Sequence, residues 1–354
     1  MTKIAILGYG VVGSGVAEVI AMNGRHIAER TGVDLRVKYI LDIRDIPGNP
    51  YENLMVRDFS VIENDPEISV VAEVIGGTGA AYEFTRRALQ AGKNVVTSNK
   101  ELVAAHGAEL LALARDRGAR YLFEASVGGG VPIIRPMARC LAANRFTEIT
   151  GILNGTCNYI LSRMDEDAMS FADALEEAPR GGYAEQNPAA DIGGRDTARK
   201  ICILASLAFG KHVYPECVHT EGIGNVDSDM IREAQMNDHI IKLLGRILHQ
   251  EGGPPLIIAA PYMVPQDHRL FAVPGVNNAI LVTGDATGEV MFYGQGAGKL
   301  PTASAVAADI IDCASGVPGP GPVLWSEGPS YLTFSQPDAE LYTFSNGTTM
   351  RILE

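Results

Sequence analysis

A glycine-rich turn near the start of the chain has the residue types and the spacing of a dinucleotide-binding loop. It matches the pattern GxGxxG and lies between an apolar strand predicted from Ile4 to Leu7 and a helix predicted from Val12 to Met22. The first glycine allows a tight turn, the second admits a pyrophosphate to the backbone, and the third lets helix and strand pack closely. The positive end of the helix also favours phosphate. The predicted dinucleotide-binding residues are Gly8, Tyr9, Gly10, Val11, Val12 and Gly13.

Oppositely charged residues follow the second predicted strand, Val37 to Ile40, where a dinucleotide fold contacts the adenosine ribose. Asp42 can accept hydrogen bonds from a ribose diol, which favours NAD. Arg44 can form a forked pair with a 2′-phosphate, which favours NADP. Because both signals are present, the sequence leaves the choice between NAD and NADP open. A solvated loop that contacts neither group is a third interpretation.

Two further strand ends bring candidate residues to the same edge of the predicted sheet. Gly76 follows a strand predicted from Val70 to Ile75, and Lys100 follows one predicted from Asn94 to Thr97. Ligands in such folds bind outside the carboxyl ends of the parallel strands, so both residues are candidates for contact with cofactor or substrate. A lysine considered alone is more often an ordinary surface residue.

The densest polar stretch of the chain, residues 181–200, opens into an apolar helix predicted from Ala198 to Phe209. Asp196 fits the start of this helix and Lys200 follows four residues later, so the carboxylate and the ammonium share one helical face. The pair is therefore a candidate functional site. A capping aspartate beside a solvated lysine is the alternative that the spacing leaves open.

The cysteines do not favour thiol chemistry. Cys157 lies in a polar turn before a helix, but no histidine is close in sequence, so a buried, inert thiol is the preferred interpretation. The five cysteines are scattered without a CxxC pair, which favours reduced thiols over a disulfide or zinc framework. With no targeting segment visible in the sequence, a cytoplasmic location is expected.

The composition is that of an acidic globular protein. Of 354 residues, 46% are hydrophobic and 20% are charged, and the formal net charge is -13. Broad attraction to nucleic acid or to anionic lipid needs a basic face, so we expect neither a nucleic acid nor a membrane as partner. The length leaves room for two or three modules.

The elements that must position these residues change in character along the chain. Strands and helices alternate up to Pro132, which predicts an α/β fold with a Rossmann-type doubly wound parallel sheet. Beyond Pro132 a second, α+β domain is predicted, with an amphipathic helix from Met230 to Leu248 and a mostly antiparallel sheet over residues 256–293. A helix from Thr302 to Ile311, a Gly/Pro linker from Ser315 to Pro322 and weak strand signals in the tail follow.

These residues together resemble the homoserine dehydrogenase family, with matching motifs in the same order from residue 4 to about 313. Six ordered blocks are far more specific than any one of them. The blocks are Gly8 to Gly13, Asn94 to Lys100, Glu124 to Pro132, Gly151 to Thr156, Gly182 to Lys200, and Gly296-Ala297-Gly298 with Pro301-Thr302-Ala303.

The resemblance implies an NAD(P)-dependent oxidoreductase that reduces L-aspartate 4-semialdehyde to L-homoserine, a small-molecule step of threonine, methionine and isoleucine biosynthesis. It assigns Lys200 as the proton donor, Asp196 and Glu185 as residues that hold the substrate, and Lys100 as a residue that reaches both substrate and cofactor. Gly182 and Gly298 are implied to approach the nicotinamide nucleotide.

The resemblance also implies a domain plan and an assembly. A dinucleotide-binding domain would span residues 1–134, with helix 301–314 returning to it, and a catalytic and dimerisation domain would span 135–300. Residues 315–354 would form a linker and tail, too short for a complete amino-acid-sensing regulatory domain, so weak or absent inhibition by threonine is expected. A homodimer is implied, with a tetramer as the alternative.

An alkali-metal site, usually sodium in the family, maps to the Glu124 side chain and to the backbone carbonyls of Val127, Gly129 and Val131. A carboxylate with alternating carbonyls suits a hard cation that prefers oxygen.

Two other functions compete with this interpretation. A semialdehyde dehydrogenase that works through a thiohemiacetal would need a cysteine nucleophile, for which Cys157 is the candidate. A nucleotide-sensing homologue would keep the fold without chemistry, and the presence of Lys100, Glu185, Asp196 and Lys200 argues against it.

Overall fold

The computed structural model describes residues 1–183, 187–250, 254–316, 325–327 and 340–353. The chain divides into two compact units. The first unit comprises Met1–Cys140, Phe209–His212 and Ala297–Gly328. The second unit comprises Leu141–Ala208, Val213–Gly296 and Pro329–Glu354.

The first unit is built on a parallel six-stranded sheet. Its strands are β1 (Thr2–Leu7), β2 (Leu35–Leu41), β3 (Met55–Val56), β4 (Ile68–Glu73), β5 (Asn94–Thr97) and β6 (Tyr121–Leu122). They lie in the order β3-β2-β1-β4-β5-β6, with every adjacent pair parallel. The order reverses between β1 and β4, where doubly wound sheets bind dinucleotides. The predicted Rossmann-type sheet is confirmed.

Among its described residues, the first unit has five α-helices: α1 (Val11–Thr31), α2 (Ser60–Glu63), α3 (Gly79–Gln90), α4 (Lys100–Asp116) and α10 (Lys299–Ala314). The apolar residues Ile4 to Leu7 of β1 are fully buried, as expected for a central strand covered on both faces. α10 packs against α1 at Gly15, where a Cβ would lie 2.7 Å from the carbonyl oxygen of Lys299. The glycine therefore lets the two helices approach closely.

The second unit contains a mixed eight-stranded sheet, which agrees with the predicted α+β class. Its strands are β7 (Phe146–Ile152), β8 (His219–Thr220), β9 (His239–Leu248), β10 (Leu256–Pro265), β11 (Asn277–Gly284), β12 (Gly288–Gln295), β13 (Leu341–Thr343) and β14 (Thr349–Ile352). The main path is β12-β11-β7-β9-β10-β14-β13, and β8 pairs with β10. The helices are α5 (Gly155–Glu166), α6 (Phe171–Arg180), α7 (Ala189–Ile192), α8 (Arg195–Phe209) and α9 (Ser228–Met236).

The helix predicted from Met230 to Leu248 is wrong over its second half. α9 ends at Met236, Asp238 turns the chain with a φ of 59°, and β9 begins at His239. β9 lies between β7 and β10 and is mostly buried on both faces. An internal strand of this kind lacks the alternation of polar and apolar residues that distinguishes a strand from a helix.

The end of the chain completes the sheet of the second unit. β14 pairs in parallel with β10 and antiparallel with β13, which confirms the strand signals in the tail. Phe344 and Met350 lie in one apolar cluster with Ile160 of α5 and Met230 of α9. The predicted linker, Ser315 to Pro322, lies outside the described residues beyond Gly316.

In the part of the chain that the structure describes, no helix is both long enough and apolar enough to cross a membrane.

Candidate active site

The glycine turn after β1 has the geometry that the GxGxxG pattern predicts. Gly8 has a φ of 95°, a left-handed conformation that side chains rarely adopt. A Cβ at Gly13 would lie 1.9 Å from the carbonyl oxygen of Gly8, so only glycine fits between turn and helix. A Cβ at Gly10 would meet no described atom within 4 Å, which leaves open space beside the backbone there.

The start of α1 is suited to a phosphate group. Gly10 is its N-cap, and among the described residues no side chain caps the helix and no acidic residue occupies its first turn. Unsatisfied N–H groups at a helix start attract anions, so the turn and the open space beside Gly10 fit the pyrophosphate of a dinucleotide.

Asp42 and Arg44, which the sequence offered as separate signals, are bound to each other. The Arg44 Nε and Nη2 atoms donate to the Asp42 carboxylate at 2.9 and 2.7 Å. Asp42 also accepts from the backbone N–H of Tyr9 at 2.9 Å, which ties it to the glycine turn. The Arg44 side chain holds the pKa of the Asp42 carboxyl well below its usual range. Asp42 is buried and Arg44 is exposed, so the guanidinium has a solvent-facing side.

A buried glutamate that sequence reasoning missed organises the loop around Gly76. Glu73 ends β4 and accepts hydrogen bonds from Ile75 N at 2.8 Å and from the Thr97 hydroxyl at 2.8 Å. Burial raises the pKa of the Glu73 carboxyl. Gly76 is exposed with a φ of 89°. A single acidic residue inside an apolar strand carries no sequence signal for this role.

Lys100 is the first residue of α4 and is half-buried. The preceding residue, Asn99, caps the helix by accepting from Leu102 N at 3.1 Å and donates to the Gly77 carbonyl at 2.7 Å. Asn99 therefore connects the segments that follow β4 and β5. Its two hydrogen bonds fix the backbone turn that precedes Lys100.

The ion pair expected on α8 is present in the second unit. Lys200 Nζ lies 2.8 Å from an Asp196 carboxylate oxygen and donates to the Leu153 carbonyl at 2.6 Å. Only 8% of Lys200 and 3% of Asp196 are exposed, which is contrary to a cap beside a solvated lysine. A buried ammonium must be paired and hydrogen-bonded, and this one is.

Two more polar residues, which the sequence did not mark as site residues, converge on this ion pair. The Asn154 amide donates to Asp191 and to Asp196, each at 2.7 Å. Asn154 also caps α5 by accepting from Cys157 N at 2.8 Å. Asn154 lies in the polar turn that precedes the predicted helix, but its link to α8 spans about 40 residues and had no local signal.

Cys157 is buried, and its Sγ donates to the Asp191 carbonyl at 3.2 Å. Burial raises the pKa of the thiol well above its usual range. The predicted inert thiol agrees with this environment.

Three predicted contacts lie in loops or outside the described residues. Gly182 has a φ of 75°, and Gly298, with a φ of 130°, is the N-cap of α10. Both are exposed. Glu185 lies outside the described residues.

The predicted cation site contains oxygen donors of the expected kind. The buried Glu124 carboxylate accepts from the backbone N–H groups of Ile133, Ile134 and Arg135 at 2.6, 2.9 and 2.7 Å. A carboxylate has about four acceptor positions, so these bonds leave one for a cation.

The predicted carbonyl ligands, those of Val127, Gly129 and Val131, lie on the turn that the bond from Val131 N to Gly128 O closes at 2.8 Å. Within the described ranges there is no group of three or more His, Cys, Asp or Glu side chains that could hold a metal. A site here would therefore rest on Glu124 and backbone oxygens.

Known proteins match both units. Residues 8–124 match the family model described as homoserine dehydrogenase, NAD binding domain, and residues 132–311 match the one described as homoserine dehydrogenase. The homoserine dehydrogenase of Neisseria gonorrhoeae is 42% identical over 314 residues, which are 88% of this chain and 72% of that protein.

Solved structures agree with this match. A homoserine dehydrogenase from Thiobacillus denitrificans has a TM-score of 0.84 at 40% identity, covering 89% of this chain and 73% of that one. A hyperthermophilic archaeal homoserine dehydrogenase mutant in complex with NADPH has a TM-score of 0.76 at 29% identity, covering 90% of this chain and 98% of that one. The chain therefore belongs to the homoserine dehydrogenase family of NAD(P)-dependent oxidoreductases that act on a CH–OH group.

Proposed function

We propose that this protein reduces L-aspartate 4-semialdehyde to L-homoserine with NADPH or NADH, and that Lys200 donates the proton. The observation that carries this proposal is the buried ion pair on α8, in which Lys200 Nζ lies 2.8 Å from Asp196. Family membership supports the substrate and the reaction.

When bound, the reduced nicotinamide supplies a hydride to the aldehyde carbon. Negative charge then develops on the carbonyl oxygen, and the Lys200 ammonium stabilises and protonates it. Asp196 orients that ammonium and keeps it charged, because a carboxylate within hydrogen-bond reach favours the protonated amine. In the reverse direction the neutral amine accepts the proton of the homoserine hydroxyl.

The remaining substrate contacts are proposed from the family resemblance. Glu185 and Asp196 hold the amino end and the reacting end of the substrate, and Lys100 contributes positive charge to both substrate and cofactor. In the first unit, the Gly8 to Gly13 turn binds the pyrophosphate, and Gly76 approaches the nucleotide. Gly182 and Gly298 contact the nicotinamide half.

Both cofactors are used, with NADP somewhat preferred. Arg44 supplies a cation for a 2′-phosphate, and its pairing with Asp42 offsets the carboxylate that would otherwise repel that phosphate. The same Asp42 can accept from a ribose diol. Because one pair contains both signals, the discrimination between the two cofactors is small.

A sodium ion bound by Glu124 and by the carbonyls of Val127, Gly129 and Val131 is part of the proposal. It would brace the turn that follows β6 within the first unit and would take no part in proton transfer. The free acceptor position on Glu124 supports it.

We also propose a homodimer formed through the β-rich part of the second unit. β12 ends the main strand path and is largely open to solvent, with Tyr293 54% exposed. The solution mass measured by light scattering should be twice the chain mass of 37.7 kDa. Four chain masses would indicate the tetramer, and one would exclude the dimer.

The direct test of the function is the absorbance of NADPH or NADH mixed with the protein and L-aspartate 4-semialdehyde. Oxidation of the cofactor with formation of homoserine supports the proposal. If the cofactor binds and no homoserine forms under saturating conditions, the chain is a nucleotide-binding homologue without this activity.

A further inference from the structure

The Asn154 side chain makes three hydrogen bonds, which link the start of α5 to α7 and α8. It is 4% exposed and precedes the first residue of α5. Its Nδ2 atom donates to Asp191 Oδ1 and to Asp196 Oδ2, both at 2.7 Å, while its Oδ1 atom accepts from Cys157 N at 2.8 Å. The orientation of the amide is fixed by chemistry, because carboxylates only accept and a backbone N–H only donates.

This arrangement brings two carboxylates within reach of one neutral nitrogen. Two carboxylates that both approach one amide nitrogen repel each other. Each carboxylate therefore needs a hydrogen-bond donor to keep its position. The two N–H bonds of the Asn154 amide supply one donor to each carboxylate. The amide therefore sets the separation of Asp191 and Asp196 without adding a charge.

The same turn also positions the proton donor. Asp196 Oδ2 binds both the Asn154 amide and Lys200 Nζ, at 2.7 and 2.8 Å. Lys200 Nζ donates in addition to the carbonyl of Leu153, the residue next to Asn154, at 2.6 Å. Two consecutive residues thus fix the ammonium and the carboxylate that orients it.

We propose that Asn154 is a positioning residue for proton transfer, holding Asp191 and Asp196 in the arrangement that directs the Lys200 ammonium. This inference rests on the proposed role of Lys200. Without the amide, Asp191 and Asp196 each lose a hydrogen-bond donor and are held less firmly. Asp196 Oδ2 then binds only the Lys200 ammonium of these two donors, so more of its negative charge acts on that ammonium. Proton transfer in both directions then slows.

The competing explanation is that Asn154 only caps α5. Asn154→Ser separates the two roles, since a serine hydroxyl is a good cap but cannot give two donors to two carboxylates. Ser170→Ala is the matched control, because Ser170 caps α6 in the same unit by accepting from Asp173 N at 3.2 Å. A pure cap role predicts that Asn154→Ser is nearly silent and that Asn154→Ala resembles Ser170→Ala.

The experiment measures kcat, KM and the pH profile of homoserine oxidation for the parent, Asn154→Ser, Asn154→Ala, Ser170→Ala and Lys200→Met. We expect kcat of Asn154→Ser to fall at least about tenfold. Because the oxidation needs a neutral Lys200 amine, its rate should rise toward alkaline pH, and this rise should move to higher pH in Asn154→Ser. The Kd for NADPH should stay unchanged, and Ser170→Ala should keep the parent kcat and pH profile.

The outcomes separate this inference from the function on which it rests. If Lys200→Met loses activity while Asn154→Ser keeps the parent kcat and pH profile, Asn154 is a cap only and the inference is wrong. If Lys200→Met itself stays active, the proposed function fails instead. If Asn154→Ser does not fold, Asn154→Thr carries the test, since a threonine hydroxyl keeps a cap acceptor and supplies only one donor.

Discussion

At the residue scale, Asp42 and Arg44 form one ion pair that is tied to the glycine turn, and we propose that it influences cofactor choice. Arg44 satisfies the Asp42 carboxylate, and the same carboxylate holds Tyr9 N. Replacing Arg44 by a neutral residue would therefore have two effects. It would remove a cation from the proposed site of the adenosine ribose, and it would leave the Asp42 carboxylate without its ion-pair partner.

Arg44→Ala should lower kcat/KM for NADPH about tenfold relative to NADH, since a 2′-phosphate would lose its cation and meet a bare carboxylate. Arg57→Ala is the matched control, because Arg57 forms an exposed ion pair with Asp45, the residue that follows Arg44. The ratio of kcat/KM for the two cofactors decides the matter, and an unchanged ratio in Arg44→Ala would remove Arg44 from cofactor choice.

Cys157 distinguishes this enzyme from one that works through a thiohemiacetal. Burial raises the pKa of its thiol, so the thiol stays protonated between about pH 7 and 9 and is a poor nucleophile throughout that range. Cys157→Ala should keep kcat within about twofold and lower stability by about 1 kcal/mol or somewhat more through the lost packing. Complete inactivation by a thiol reagent, prevented by substrate and absent in Cys157→Ala, would contradict the lysine mechanism.

The sequence located the ion pair but not the residues that fix it. Asp196 and Lys200 are four residues apart on one helix, a spacing that is visible without a structure. Glu73 of β4 accepts a hydrogen bond from Thr97 of β5. Asn154, at the start of α5, donates one to Asp191 of α7. Only the fold brings such partners together.

At the element scale, most strands and helices of the first unit were predictable because each buried strand is short and bounded by glycine or polar turns. The short elements β3 and α2 were not predicted, since two and four residues show no periodicity. β9 was not predictable, because an internal strand that is buried on both faces has the same apolar composition as a buried helix. The boundary at Asp238 depends on a left-handed residue that is not glycine, so the usual turn signal was missing.

The turn between β1 and α1 allows a test of cofactor binding that leaves the fold intact. A Cβ at Gly10 meets open space and the residue has an ordinary φ of -84°, so Gly10→Ala should fold with Tm within about 2 °C of the parent. The Kd for NADPH should nevertheless rise about tenfold or more, because the methyl group occupies the approach of the pyrophosphate.

Gly24→Ala is the control for the glycine experiment, since Gly24 also faces open space and lies within α1. It should leave the Kd for NADPH unchanged and raise stability by a few tenths of a kcal/mol to about 1 kcal/mol. Equal NADPH binding by Gly10→Ala and the parent, measured by fluorescence titration, would show that the pyrophosphate does not lie against this turn.

At the scale of the whole molecule, the last strands belong to the core of the second unit. Phe344 is 2% exposed and Met350 is 6% exposed, and Leu353 N donates to the Met263 carbonyl at 2.9 Å. Short, weakly apolar segments such as these give faint sequence signals, since their burial depends on a partner strand about 90 residues earlier.

A chain that stops at residue 339 should lose stability by about 3 to 6 kcal/mol, because burial of a Phe and a Met side chain contributes about 1.5 to 3 kcal/mol each. Urea unfolding of the shortened chain measures the loss, and Asn346→Ala, an exposed substitution in the same hairpin, is its control. An unchanged unfolding midpoint after truncation would mean that β13 and β14 do not support the second unit.

For the molecule as a whole, the central proposal is that the Lys200 ammonium donates the proton of the reaction. Lys200→Met tests it most directly, because the methionine keeps the bulk of the side chain and removes the ammonium. Lys38→Met, which removes an ammonium paired with Asp65 and Glu67 in the first unit, is the control.

The measurement is kcat for reduction of L-aspartate 4-semialdehyde together with the Kd for NADPH, in a variant whose folding is verified by circular dichroism. We predict that kcat of Lys200→Met falls about 10²- to 10⁴-fold, the usual effect of a positioned acid, while the Kd for NADPH stays within about twofold. If Lys200→Met folds, binds NADPH normally and turns over within about threefold of the parent, the proton comes from another group and the account is wrong.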